Sequence, residues 1–440
     1  MSEWKEYKLG EIINVKHGYA FRGEYFSETP TLDILLTPGN FSIGGGFKQG
    51  KLKYYNGEYP ISYKLNEGDV IVTMTDLSKE GDTLGYSAKI PKHNEIRYLH
   101  NQRIGLLQFI NDDFSKDYIY WVLRSRDYQK FIVNSATGST VKHTSPSRIC
   151  EYVFSAPDLP TQTAIAEILS SLDDKIELNN KINQELENLA QTVFRQWFID
   201  FEFPNENGEP YKSSGGEMVE SELGEIPKGW KVGYLEDVIE FHNGYAFTSK
   251  ELESANSSES YHVFKMGHIK KGGGLNAEGT KSYFSKSKAQ KLSKYVLKKG
   301  DLLMCMTDMK GNVALLGHTA LMNEDDKYIV NQRVGLLRPK NDGGIDYPYL
   351  YILTNSFDFI EELRSRANSG VQVNLSTNEI KKSKILIAPK SINEKFDLIT
   401  KSFYDKIFEI TNENQTLRNT RDFLLPKLIS GELEINEIKN

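Results

Sequence analysis

Nearly every distinctive phrase in this chain is written twice. HGYAF (His17–Phe21) returns as HNGYAF (His242–Phe247), EGDVIVTMTD (Glu67–Asp76) as KGDLLMCMTD (Lys299–Asp308), and NQRIGLL (Asn101–Leu107) as NQRVGLL (Asn331–Leu337). Trp4-Lys5 returns as Trp230-Lys231, Ala156-Pro157 as Ala388-Pro389, and Asp174–Ile176 as Asp405–Ile407, with the separation drifting only from 226 to 232 residues. A repeat of that length is too long for a solenoid unit, so the 440 residues read as two copies of one domain-plus-helix module.

The second part of each module is helical. After Pro160, apolar residues fall at Ile165, Ile168, Leu172, Ile176, Ile182, Leu186, Leu189, Val193 and Trp197, three or four apart. The second copy carries Phe396, Ile399, Phe403, Ile407, Ile410, Leu417 and Leu424. Two long helices with such stripes bury them best against each other, as an antiparallel coiled coil. Asn179, Asn180 and Asn183 interrupt the first stripe and Asn414 the second, and Asn183 and Asn414 are repeat equivalents. Equivalents in an antiparallel pair meet only near its centre, so these two are expected to lie close together there. The domains hold short apolar runs bounded by Gly-rich turns, and DYIYWVLRSRDYQKFIV and DYPYLYILTNSFDFIEEL each read as a helix. The expected fold class is α+β: two similar mixed domains separated by two long helices, with internal pseudo-two-fold symmetry. The boundaries are 1–157 (first domain), 158–203 (first helix), 204–228 (linker), 229–390 (second domain), 391–430 (second helix) and 431–440 (tail).

Composition excludes several classes. No stretch approaches 18 apolar residues, and MSEWKEYK lacks the apolar core of a signal peptide, so a cytoplasmic protein is expected. Cys150 and Cys305 have no neighbouring Cys or His cluster and read as small buried hydrophobes. There is no phosphate-binding GxxxxGK[ST]: Gly274 to Gly279 has the glycine spacing, but Thr280-Lys281 follow in the wrong order. No Pro-Pro, GxSxG or HExxH occurs. Asp158 followed by Asp173-Asp174-Lys175 imitates a metal-nuclease pattern, but the second cluster belongs to the helix. No catalytic or metal-ligating residue is expected.

The net charge of −6 hides a partition. Residues 157–226 carry 15 acidic side chains against 4 basic ones, while residues 227–389 carry 23 basic against 18 acidic. A nucleic-acid backbone needs local positive charge, not a basic whole. The sharpest local feature is KSYFSKSKAQKLSKYVLKK (Lys281–Lys299), with seven lysines, no acid, and Tyr283, Phe284 and Tyr295 interleaved. Lys281, Lys286, Lys288 and Lys291 are the expected phosphate contacts.

With two like domains, two long helices, basic patches and no catalytic motif, the chain resembles the specificity (S) subunit of Type I restriction–modification systems. The most specific stretches are the domain-to-helix junction Ala156–Phe201, SELGEIPKGW (Ser221–Trp230) and RDFLLPKLISGEL (Arg421–Leu433); GYAF, NQR-[IV]-G and the loops GSTVKHTS (Gly138–Ser145) and GVQVNLS (Gly370–Ser376) fit its target-recognition domains. The resemblance covers nearly the whole chain; the second helix, starting SINEKFDLI, matches less closely. It implies that each domain reads one half of a split, asymmetric site in double-stranded DNA. The helices, the family's central and C-terminal conserved regions, space the halves and dock two methyltransferase (M) subunits, which restriction (R) subunits can join. It implies no cofactor on this chain; S-adenosylmethionine, ATP and Mg belong to the partners.

The residues expected at DNA are Tyr19, Phe21 and Arg22; Tyr245; Thr75 and Thr307; Asn101, Gln102 and Arg103; Asn331, Gln332 and Arg333; and Ser139, Thr140, Lys142 and Gln372, beside the four lysines. Arg can hold guanine through two hydrogen bonds, and Asn or Gln can hold adenine. The rival readings are a turn and core that merely support the strands, and a scaffold, or the specificity module of another restriction–methylation type, in place of this DNA reader.

Overall fold

The computed structural model describes residues 4–50, 52–78, 80–93, 95–254, 256–277, 279–309, 313–369 and 372–435. The chain forms two compact units: residues 1–179 with 413–440, and residues 180–412. Each unit therefore holds one domain and part of both long helices.

In the first unit, Lys5–Lys8 pairs antiparallel with Val153–Ala156, so the domain's first and last strands close on each other. Four antiparallel strands follow in the order Ile13–His17, Ile104–Phe109, Val70–Thr73, Ser87–Lys89. Val70–Thr73 is buried at every position, which explains its unbroken apolar run. A second sheet joins Phe26–Ser27, Tyr54–Tyr55, Asp33–Leu35 and Arg97–Leu99, the last pair parallel.

The second unit repeats this plan. Lys231–Tyr234 closes on Lys384–Ile387. The sheet order is Ile239–Asn243, Val334–Pro339, Leu302–Cys305, Thr319–Leu321, and a three-stranded sheet holds Tyr283–Ser285, Ser260–Phe264 and Tyr328–Val330.

Each stretch read as a single domain helix is two. Ser125 caps Arg126–Asn134, accepting from the Tyr128 amide, and so ends the preceding helix Lys116–Val122. Ser356 stands between Tyr347–Thr354 and Phe357–Ser365. Ser125 satisfies a helix-end donor that the apolar periodicity does not register, whereas the Ser356 hydroxyl donates back to the Leu353 carbonyl at 2.7 Å.

The long helices are Leu159–Phe194 and Lys390–Ser430. The first passes into a π turn, Arg195–Ile199, rather than running to residue 203. Wider winding turns both Trp197 and Phe198 inward, where Phe198 meets Tyr349, Trp230 and Phe396 at ring distances of 4.7, 5.5 and 5.0 Å. Within each unit the helices run antiparallel. In the first, Asp173 reaches Arg421 and Asn179 reaches Asn414; in the second, Asn183 reaches Thr411 and Phe194 packs on Phe396. The pairing frame brings Asn179 to Asn414 Oδ1 at 2.9 Å, with Glu413 accepting a second bond at 2.7 Å. Ile182 and Leu189, assigned to the buried stripe, are exposed, because burial follows Leu169, Ile176, Asn179, Ala190 and Phe194 instead.

One end of the second-unit helices is clamped by aromatic rings: Phe203 lies stacked on Tyr211 at 4.6 Å and on Trp230 at 5.2 Å. The residues read as a linker thus form a packed segment with its own hairpin, Met218–Ser221 with Gly224–Pro227. Cys305 is buried and Cys150 half-buried, both free thiols. Among the described residues no helix is long and apolar enough to cross a membrane.

Candidate nucleic-acid interface

The repeated phrases, far apart in sequence, are one structural element. In the first unit the Tyr19 amide donates to the His100 carbonyl (2.8 Å) and the Gln102 amide to the Tyr19 carbonyl (3.0 Å). In the second the Tyr245 amide donates to the Val330 carbonyl (2.9 Å) and the Gln332 amide to the Tyr245 carbonyl (3.0 Å). GYAF and NQR thus bind each other in both copies. The contact explains the glycine: a Cβ on Gly18 would lie 2.0 Å from the Asn101 carbonyl oxygen, and one on Gly244 2.2 Å from that of Asn331.

The aromatics of the phrase pack in a repeated pattern. Tyr19 meets Tyr63 at 5.2 Å and Tyr245 meets Tyr295 at 5.7 Å; Phe21 meets Tyr55 and Phe247 meets Phe284, both at 4.9 Å. Tyr19, Phe21 and Tyr245 are half-buried under the turn rather than standing free of it. Lys16 lies over Tyr63 and Lys294 over Tyr295, at 4.6 and 4.8 Å. Arg22 is exposed and lies 3.7 Å from Glu24.

Asn101 and Asn331 are committed to the turn. Their Oδ1 atoms accept the amides of Arg103 and Arg333 at 3.0 and 3.3 Å. The following Gln and Arg of both turns are exposed. Beside the first turn, burial and the Arg103 guanidinium push the Lys53 ammonium below its usual range, a crowding of cations that an anion would relieve. His100, behind this turn, is buried and donates from Nε2 to the Ile104 carbonyl (2.8 Å); burial foremost pulls its pKa down to about 4, leaving it neutral.

The Thr-Asp strands extend the same surface. The Met74 amide donates to the Arg103 carbonyl at 2.9 Å, and the Met74 carbonyl accepts from Thr144 at 3.0 Å. In the second unit Met306 donates to Arg333 (3.3 Å) and accepts from Leu375 (2.9 Å). Turn, Thr-Asp strand and Gly-loop strand therefore lie side by side in both copies. Lys142 faces Asp76 and His143 faces Thr75 in one; Gln372 faces Met309 and Asn374 faces Thr307 in the other.

Side chains sort differently from expectation. Thr75 is buried, its hydroxyl 3.2 Å from His143 Nδ1, so it supports a neighbour instead of facing solvent. Thr307 is half-buried and donates to Asn374 Oδ1 at 2.9 Å. Asp76 is buried: burial raises its pKa, but the amides of Ser78 and Thr83 and the Thr83 hydroxyl more than offset this and hold the carboxyl below its usual range. It ties down the loop after the strand. Ser139 and Thr140 are exposed in the bend between Thr137 and His143, which pair, and Lys142 is half-buried. Gly370 and Val371 lie outside the described residues, as does the Gln372 side chain.

The lysine run is less continuous than its sequence. Tyr283 and Phe284 are core, not surface aromatics. Lys281, Lys288 and Lys291 are exposed, and Lys286 is half-buried over Tyr261 at 5.5 Å. Tyr261 precedes by three residues Phe264, whose carbonyl receives the Asn331 amide, so Lys286 stands roughly 10 Å along that strand from the turn. The run flanks the turn; Lys294 is the lysine beside it. Lys53 belongs to the weaker basic stretch of the first copy, FKQGKLKYYNGEYPISYKL, whereas Lys16, His143 and Asn374 were missed. Lys16 lacks any run to mark it, and the other two depend on strand register.

A family model described as "Type I restriction modification DNA specificity domain" matches residues 1–188 and again 227–418. The Type I restriction enzyme MjaIX specificity subunit of Methanocaldococcus jannaschii is 26% identical over 74% of this chain and 71% of its own. The HindI specificity subunit of Haemophilus influenzae is 23% identical over 98% of this chain and 100% of its own. The crystal structure of a Type I restriction–modification S subunit from M. genitalium shares the fold, with a TM-score of 0.56 at 16% identity over 97% of this chain and 96% of that one.

Proposed function

The chain belongs to the Type I restriction–modification DNA specificity family, and we propose that its two domains read the two halves of a split, asymmetric site in double-stranded DNA. The observation that carries this is the repeated element itself. In each copy a turn, a strand and a loop strand bring an exposed Gln-Arg pair to one edge of the sheet, while the loop strand beside it differs between copies. A duplicated reader with diverged contacts suits an asymmetric bipartite site.

The chain serves as the recognition component and catalyses nothing. Methylation and cleavage belong to two M subunits and to R subunits, which supply S-adenosylmethionine, ATP and Mg, and the assembly is cytoplasmic. Ile182, Leu189 and Leu398, apolar yet exposed on the long helices, suit docking of a partner subunit. Among the described residues no group of three or more His, Cys, Asp or Glu could hold a metal ion.

Exchange of residues 1–157 for the corresponding domain of a relative with a different site tests the reading. The exchange is expected to change one half of the methylated motif and leave the other half and the gap intact. A change in both halves, or in neither, contradicts it.

A further inference from the structure

Equivalent positions at this edge of the two domains fall into two kinds. The Asn-Gln-Arg turn is identical in both copies, with Gln102-Arg103 and Gln332-Arg333 exposed. A common pair meets common chemistry, such as phosphate or a base shared by both halves, and does not tell the halves apart. The adjoining strand is different. The residue facing the Thr of the Thr-Asp strand is His143 in one copy and Asn374 in the other. Both are exposed, and both are held by that threonine, at 3.2 Å from Thr75 Oγ1 to His143 Nδ1 and 2.9 Å from Thr307 Oγ1 to Asn374 Oδ1.

We propose that His143 and Asn374 are specificity-determining residues, each reading a base edge in its own half-site, and that Thr75 and Thr307 are positioning residues that fix their orientation. The proposal rests on the reading of the chain as a bipartite DNA reader and names the pair of positions that makes the halves differ. Their chemistry fits the task. A carboxamide carries a donor and an acceptor side by side, matching N6 and N7 of adenine. An imidazole engaged at Nδ1 presents Nε2, a single donor or acceptor, to one groove atom. A side chain already held by a hydrogen bond loses little further freedom on binding, which favours readout over loose phosphate contact. Threonine is suited to the tether because its χ1 is stiff and its hydroxyl both donates and accepts.

The test uses the full chain co-expressed with its methyltransferase partner, with methylated motifs read by single-molecule sequencing of a random DNA pool. His143→Ala is expected to lower base preference about tenfold or more at one position in one half, and Asn374→Ala to do so in the other, with the gap unchanged. Thr75→Val should relax the same position as His143→Ala, whereas Thr75→Ser, which keeps the hydroxyl, should retain the wild-type motif. Thermal melting of each variant separates readout from folding, and His143→Gln replaces the alanine variant if that variant fails to fold. An unchanged motif in folded His143 and Asn374 variants overturns the assignment, as does equal weakening of both halves by either one. A wild-type complex that methylates without any motif overturns instead the reading on which it rests.

Discussion

Gly18 lies so close to the Asn101 carbonyl oxygen that a Cβ on it would stand 2.0 Å away. The obstacle is backbone, fixed by the paired Tyr19 and Gln102 amides, so no side chain can swing aside. Gly18→Ala is expected to cost about 2–3 kcal/mol and to weaken DNA readout by the first half alone. Gly39→Ala, where the nearest atom is the Thr37 hydroxyl at an ordinary 3.5 Å, is the matched control and should melt within a degree or two of wild type. Melting curves of the pair check this.

Asp173 on the first long helix lies between two guanidinium groups, Arg124 of the domain and Arg421 of the second helix. Arg124 is almost fully buried and also donates to the Gly44 carbonyl at 2.9 Å and the Tyr120 hydroxyl at 2.8 Å. Burial raises the Asp173 pKa, but the two arginines outweigh it and hold the carboxyl below its usual range. A depressed folded pKa stabilises above the unfolded value and is lost as pH falls through the folded one. Asp173→Asn is therefore expected to destabilise the first unit at pH 7 by about 3 kcal/mol, and to flatten its loss of stability below pH 4. Denaturant unfolding at pH 7 and pH 3 measures both.

Asp397 behaves in the opposite sense. Its Oδ1 is buried without a partner, and burial, with Asp346 and Glu394 nearby and Lys401 opposing them, pushes its pKa up to about 7. A raised folded pKa gives stability that is complete below the unfolded value near 4 and lost as pH rises through about 7. Asp397→Asn should thus gain on the order of 1–2 kcal/mol relative to wild type at pH 8, and nothing at pH 4. Thermal melting of both chains across that range reads the difference.

The lysines flanking the second turn act through charge. Lys281, Lys286, Lys288 and Lys291 replaced together by Ala should flatten the plot of log binding constant against log salt by roughly 0.9 for each phosphate no longer neutralised, about 3.6 if all four engage. Lys288 also lies near Glu251, whose carboxyl is held low first by the Thr248 hydroxyl, so a change nearer 3 is expected. Titration of the assembled complex with DNA at several salt concentrations gives the slope; an unchanged slope removes these residues from the interface.

The duplication, the helix pairing and the mixed domains were legible because they rest on repetition and on helical periodicity, both properties of one dimension. The register between helices was not: which residue bonds Asn414, Asn179 in the structure, could not be read from the stripes, and Leu189 is exposed where period alone would bury it. Both depend on which face each helix turns to the other. The π turn at Arg195–Ile199 was hidden because adjacent aromatics in RQWFID fit an α period poorly whichever way they are assigned. At the candidate site the phrases were visible but their mutual contact was not. Tyr19 and Asn101 are joined by backbone hydrogen bonds, which leave no trace in side-chain type. His143 and Asn374 escaped notice for a related reason, since only strand pairing sets them against Thr75 and Thr307.

Two diverged copies of one module should specify two half-sites, and sequencing the methylation that this chain directs with its partner on a random DNA pool reads both at once. One motif made of two different half-sites at a fixed gap is expected. A complex that forms and methylates without a split motif, or with two identical halves, would contradict it.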